Sequence, residues 1–218
     1  MAERAAQAVL FDLDGTLADT APDLGAALNR LRAEQGLPPM PLEQVRPFAS
    51  AGARGLVHVG FGAKPGDGEY EALREAFLEF YRERPCVETR LFPGVPELLQ
   101  DLARRSIAWG IVTNKATRFT ERIVATLKLA PACVVCGDTT PHLKPHPAPL
   151  LHAAGLLALL PARCLYLGDD LRDIQGARAA GMRSVAVGWG YHHPESGGPS
   201  TWKADATIAQ PQDLIDLL

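Results

Sequence analysis

The segment Ala8-Val9-Leu10-Phe11-Asp12-Leu13-Asp14-Gly15-Thr16 decides the fold. Its short apolar run reads as a strand, and two acids and a glycine stand where that strand ends. In an extended chain residues i and i+2 point the same way, so Asp12 and Asp14 aim two carboxylates at one spot. Parallel sheets place their sites beyond the carboxyl ends of their strands. Converging acids repel unless a cation lies between them, so the pair implies a divalent metal. With oxygen ligands and neither Cys nor His beside them, Mg²⁺ is the expected ion. Gly15 lets the backbone turn sharply and approach an anion closely.

Outward from this segment, similar runs recur at Ile107–Val112, Cys133–Cys136, Cys164–Leu167 and Ser184–Val187, with a weaker one near Ala206–Ile208. Helical spacing lies between the later ones: Leu98, Leu99 and Leu102; Phe119, Ile123, Val124 and Leu127; Leu150, Leu151, Ala154 and Leu157; Ile174 and Ala177, stopped by Gly181. Pro211 opens what reads as a last helix. Strand–helix alternation of this kind predicts an α/β fold, a parallel sheet covered on both faces. From Pro22 to Arg84 the alternation breaks and only helical patterns remain, among them Leu24, Ala27, Leu28 and Leu31 before Gly36, and Leu73, Phe77, Phe80 and Tyr81. A helical block inserted after the first strand predicts a second, smaller domain over residues 17–90. The core domain is then 1–16 and 91–218, with crossings near Gly15–Pro22 and Pro85–Gly94.

Three further strand ends carry polar groups. Thr113-Asn114-Lys115 offers a hydroxyl and backbone amides able to grip a phosphoryl oxygen. Lys144 sits in the Pro-stiffened loop His142–Pro147, where a fixed ammonium neutralises both a phosphate and an attacking carboxylate. Gly168-Asp169-Asp170-Leu171-Arg172-Asp173 supplies three acids. Asp169 can complete a metal shell, and Asp170 or Asp173 can orient its waters or Lys144, unless both simply answer the helix dipole. The cysteines of Cys133-Val134-Val135-Cys136 lie in an apolar strand with no second Cys or His pair to make a zinc site, so they read as buried strand residues.

The 218 residues carry 22 Lys and Arg against 25 Asp and Glu, a net charge of −3, and 47% are apolar. That balance offers no electrostatic case for nucleic acid or a membrane surface, and excludes disorder. The N-terminal stretch lacks a signal-peptide core, and no apolar run approaches a bilayer span, so a cytoplasmic protein is expected.

Taken together, DxDGT, a strand ending in Thr-Asn, Lys-Pro, and Gly-Asp-Asp-x-x-Asp resemble the haloacid dehalogenase superfamily over almost the whole chain. The resemblance implies a Rossmann-like core with a four-helix type cap, and Arg90–Val95 resembles the return linker of the phosphoglycolate-phosphatase-like branch. It implies that Asp12 is a nucleophile forming an aspartyl-phosphate and that Asp14 protonates the leaving alcohol and then activates water. Thr113 and Asn114 would hold the phosphoryl group beside Lys144. Asp12, Asp14 (through its backbone carbonyl) and Asp169 would bind Mg²⁺. Asp170 stands where Ser is common. Dehalogenase members lack the second acid, so Asp14 favours phosphoryl chemistry. The implied activity is hydrolysis of a small phosphate ester by a monomer or weak homodimer, with phosphoglycolate phosphatase leading. Several segments equally resemble N-acetylmuramic acid 6-phosphate phosphatases, and a beta-phosphoglucomutase-like mutase is the other enzyme reading. A signalling receiver would put its acids on separate strands and have no helical cap. In the block, Gly52-Ala53-Arg54-Gly55 is a basic turn whose Arg54 could pair with a substrate carboxylate. The segment Gly188–His193 could rim the pocket with aromatics, its two histidines being loop residues.

Overall fold

The computed structural model describes residues 6–218; residues 1–5, part of the N-terminal stretch discussed above, lie outside the described residues. The opening run forms β1 (Ala8–Phe11), followed by β2 (Ala18–Asp19). Four helices come next: α1 (Ala21–Glu34), α2 (Leu42–Val45), α3 (Gly52–Phe61) and α4 (Tyr70–Glu83). The chain returns through β3 (Arg90–Leu91) and then alternates. The elements are α5 (Val95–Arg104), β4 (Ala108–Val112), α6 (Thr117–Thr126), β5 (Cys133–Val135) and α7 (Ala148–Leu156). After these come β6 (Cys164–Gly168), α8 (Leu171–Ala179), β7 (Arg183–Val187) and β8 (Ala206–Ile208).

Six strands form one sheet in the order β5-β4-β1-β6-β7-β8, and every neighbouring pair is parallel. The sequence therefore runs outward from β1 in both directions. That makes the carboxyl end of β1 the switch point where such sheets open a crevice. Alternation along each strand feeds two cores. Val9, Phe11, Leu165 and Leu167 join one buried cluster, whereas Ala8, Leu10, Cys164 and Tyr166 join the other, against α7 and α8. Because both faces are covered, β1 and β6 are buried throughout.

The helical stretch lies where the apolar spacing put it. Leu24, Leu28 and Leu31 of α1 are buried, as are Leu73, Phe77 and Tyr81 of α4, in the same cluster as Val9 and Phe11. Gly36 takes a left-handed φ of 69° just past α1, a conformation that costs glycine least. At the two crossings the chain builds a short antiparallel ribbon, β2 on β3, which two-residue strands give no periodicity to foretell. Asp23 in the first turn of α1 ties the return strand down, accepting from the amides of Val87, Glu88 and Thr89 and the Thr89 hydroxyl.

The C-terminal segment Pro211–Leu217 is a 3₁₀ rather than an α-helix. Its Leu214 is buried in the core and seats the segment. Cys133 and Cys136 are buried and unpaired, and burial pushes the Cys133 thiol up to about 11, away from the reactive thiolate. Among the described residues, no helix is long and apolar enough to cross a membrane.

Candidate active site

Beyond Phe11 the chain leaves the strand, and this separates the two acids that simple alternation would align. Asp12 and Asp14 both line a cavity of ≈ 710 Å³ between the strand ends and the helical block, but each carboxylate meets its own cation. Asp12 Oδ1 lies 2.7 Å from the Lys144 ammonium. Asp14 Oδ1 lies 2.8 Å from Lys115 Nζ and also accepts from the Thr20 hydroxyl. The expectation of two carboxylates aimed at one metal is thus corrected. The third acid of the cluster is Asp173: oxygens of Asp12, Asp169 and Asp173 lie within 4.8 Å of one another. It is the Asp14 carbonyl that faces Ser50 Oγ at 3.4 Å, and that hydroxyl also donates to Asp169 Oδ2 at 2.9 Å.

Lys144 sits at the centre of this cluster and is buried. Its ammonium meets Asp12 Oδ1, Asp173 Oδ1 at 2.8 Å, Tyr166 Oη at 2.7 Å and the Val112 carbonyl at 2.9 Å. Burial opposes its charge, yet Asp12 and Asp173 hold its pKa above the ordinary lysine value. One ammonium does not balance three acids. Burial pushes the Asp12 carboxyl up to about 6 against the pull of Lys144. It pushes Asp169 well above the usual range, with the charges of Asp12 and Asp173 adding to the effect. Acids crowded in this way favour a proton or a cation between them. An all-oxygen donor set suits a hard divalent ion, so the residues present fit a metal.

Glycines make the cluster possible. Gly15 has φ 82°, and a Cβ there would stand 2.2 Å from the Asp169 carboxylate; one on Gly168 would stand 2.2 Å from Asp173, and one on Gly190 2.1 Å from Asp169. The close approach expected of Gly15 is therefore to Asp169. Its amide donates to the Ala18 carbonyl, and Gly15 is not among the residues that line the cavity.

The remaining sequence candidates divide. Thr113 lines the cavity, with its hydroxyl accepting from the Lys115 amide at 3.1 Å. Asn114 lines it too, but its carboxamide is taken up by the Lys144 peptide, Nδ2 on the carbonyl at 3.0 Å and Oδ1 on the amide at 2.8 Å. Its side chain therefore places the lysine loop rather than gripping a ligand. Asp170 and Asp173 form a capping box at the start of α8, satisfying amides that the helix leaves free. Beyond that they face different ways, Asp173 toward Lys144 and Asp170 toward Arg172. Arg54 is exposed on the first turn of α3, lines the cavity and has no hydrogen bond or ion pair with a described residue.

Several contributors carry no recognisable signal in the sequence. Ser50 reaches Asp169 from the segment before α3. Tyr166 sits on the α7–α8 face of β6, under Lys144. Lys115, one residue past the Thr-Asn pair, has only its position to mark it. Tyr191 was expected at the rim; instead its backbone amide donates to Asp169 Oδ2 and its hydroxyl braces the crossing, accepting from the Thr20 and Ala21 amides and donating to Asp19. Trp189 likewise turns inward, donating to the Thr16 carbonyl at 3.0 Å. His193 does line the cavity, edge-on to Phe48.

Comparison with known proteins bears on the same residues. The model of the haloacid dehalogenase-like hydrolases matches residues 9–187. The chain is 45% identical to an N-acetylmuramic acid 6-phosphate phosphatase of Pseudomonas aeruginosa, covering 97% of this chain and 94% of that protein. It is 44% identical to a phosphoglycolate phosphatase of Xanthomonas campestris pv. campestris, covering 95% and 94%. Among solved structures, a predicted phosphoglycolate phosphatase from Haemophilus somnus superposes with a TM-score of 0.85 at 27% identity, over 97% of each chain. With the parallel sheet, the acidic cluster at its switch point and the match over most of its length, the chain belongs to the haloacid dehalogenase-like hydrolases.

Proposed function

We propose that the protein is a Mg²⁺-dependent phosphomonoesterase that hydrolyses a small metabolite through an aspartyl-phosphate on Asp12. One observation carries this reading: Asp12, at the end of the central strand, opens onto the cavity while paired to Lys144 and clustered with Asp169 and Asp173. The Asp12 carboxylate attacks phosphorus, the bond to the leaving oxygen breaks, and Asp14 gives that oxygen a proton. Asp14 then takes a proton from water, which attacks the aspartyl-phosphate and regenerates the Asp12 carboxylate with release of inorganic phosphate. Lys144 offsets the charge of the nucleophile and of the transferring group, with Thr113 beside it. Asp12 and Asp169, with the Asp14 carbonyl, would hold Mg²⁺, which supplies charge neutralisation to the phosphoryl oxygens. Asp173 keeps Lys144 in place.

Residues 17–90 act as a cap that closes over the strand ends and excludes water. The substrate carries a carboxylate, which Arg54 receives. In this reading 2-phosphoglycolate leads. A second substrate has its own support in the 45% identity to a phosphatase named for it. It is N-acetylmuramic acid 6-phosphate, which like 2-phosphoglycolate carries both a phosphate and a carboxylate and so suits the same Arg54 contact. The two relatives named above are phosphatases, and the mutase alternative draws no support from them.

The test is phosphate release over a metabolite panel with Mg²⁺, run beside Asp12→Asn. Turnover of carboxylated esters by the wild type and its loss in the variant are expected. Near-native activity in Asp12→Asn, or full activity after exhaustive chelation, refutes the mechanism.

A further inference from the structure

We propose that Arg172, anchored by Asp170, is a positioning residue that sets substrate selection by holding the cap segment Ser50–Arg54 over the phosphate site. The inference rests on the phosphatase reading and adds to it the residues that keep the cap's substrate contact in register.

The Asp170 carboxylate does two jobs. As the residue preceding α8 it accepts from the Arg172 amide, which caps the helix. Its two oxygens also grip the Arg172 guanidinium, Nε on Oδ1 at 2.8 Å and Nη2 on Oδ2 at 2.9 Å. Serine would cap α8 about as well, but only a carboxylate offers two oxygens to the planar fork. The pair is not a loose surface contact, because Asp170 is buried, and despite that burial the Arg172 hydrogen bonds and charge hold its carboxyl below the ordinary value.

Held in this way, Arg172 reaches out of the core. Nη2 donates to the Ser50 carbonyl at 2.8 Å. From the same residue, Ser50 Oγ donates to Asp169 Oδ2 at 2.9 Å. Ser50 is thus pinned through both main chain and side chain to the loop that carries the acidic cluster. Two residues later Gly52, at φ 60°, turns the chain into α3, whose first turn presents Arg54. Arg54, Arg172 and Asp12 line one cavity. The distance from the phosphate site to the carboxylate receptor is therefore set by the Asp170–Arg172–Ser50 connection. An Arg54 left on a free loop would pay the ordering entropy at each binding event.

The experiment measures kcat and KM on 2-phosphoglycolate (or on N-acetylmuramic acid 6-phosphate, if that is the ester turned over) and on p-nitrophenyl phosphate. The variants are Asp170→Ser, Arg172→Met, Arg172→Lys, Arg54→Ala and the Arg54→Ala/Arg172→Met double. Asp170→Ser keeps the helix cap and loses only the two-oxygen grip, so it guards against misfolding. For the carboxylated ester, Asp170→Ser and Arg172→Met should raise KM by roughly tenfold or more and move kcat far less. The loss in kcat/KM should exceed that on p-nitrophenyl phosphate by about fivefold or more. Lysine offers its donors from a single nitrogen and has no planar fork to span both Asp170 oxygens while reaching Ser50, so Arg172→Lys should behave like Arg172→Met. Since Arg172 acts through Arg54, the double variant should be no worse than about twofold below Arg54→Ala alone. Equal losses on both substrates overturn the proposal in favour of a merely structural pair. Multiplying losses in the double variant overturn it in favour of direct contact between Arg172 and substrate. A wild type inert toward p-nitrophenyl phosphate and every other ester would instead strike the phosphatase reading itself.

Discussion

Replacing Lys144 by Met removes one charge and little volume, because the unbranched thioether fills the channel that the lysine stem occupied. What changes is the electrostatics of the cluster. The ammonium serves Asp12, Asp173, Tyr166 and the Val112 carbonyl. Tyr166 also donates to the Val112 carbonyl at 2.7 Å, so that pair stays satisfied without the lysine. The loss falls on Asp12 and Asp173, which with Asp169 are left as three neighbouring acids with no cation paired to them directly. Breaking one side of a buried ion pair costs about 3–5 kcal/mol, and in a chain of this size each kcal/mol moves Tm by about 2–4 °C. Lys144→Met should therefore melt roughly 6–20 °C below the wild type in metal-free buffer. Adding Mg²⁺ should then raise its Tm by more than it raises the wild type's, because the ion no longer meets the repulsion of the ammonium. The assay is thermal melting followed by circular dichroism, with and without Mg²⁺. A variant within about 2 °C of the wild type without metal, well under one broken buried pair, would refute the view that Lys144 is the cluster's counter-charge. Equal Mg²⁺ increments in the two proteins would do the same.

Asp14→Asn should slow turnover least with activated aryl phosphates, whose leaving groups need little protonation. A plot of rate against leaving-group pKa that keeps the wild-type slope would argue against proton transfer by Asp14. Just before β8, the Asp205 carboxylate accepts from the amide and hydroxyl of Ser184; burial opposes its charge, yet these bonds together hold its carboxyl below the ordinary value. A pKa lowered on folding stabilises at neutral pH and ceases to do so as pH falls through the folded value. The Tm gap between the wild type and Asp205→Asn should thus shrink on going from about pH 7 to about pH 3. A gap that stays constant or widens in acid would contradict the assignment.

Much of this protein is legible without its structure, because the features concerned are local. A run such as Ala8–Phe11 declares a buried strand by its own composition, and α1 and α4 show their apolar faces in residues one turn apart. The candidate chemistry is legible for a related reason. Parallel strands collect whatever stands at their carboxyl ends, so Asp12, Thr113, Lys144 and Asp169 can be gathered on paper from the strand ends, or the loop that follows one, before any coordinate is known. Tertiary structure decided how those groups pair. Lys115 takes the Asp14 carboxylate, the Asn114 carboxamide is spent on the Lys144 peptide, and Asp173 rather than Asp170 faces the lysine. It also joined Arg172 to Ser50, and Tyr191 to the crossing at Asp19–Ala21. A hydrogen bond is made or lost over a few tenths of an ångström, so residues far apart in the chain acquire partners only when the packed core has fixed both ends.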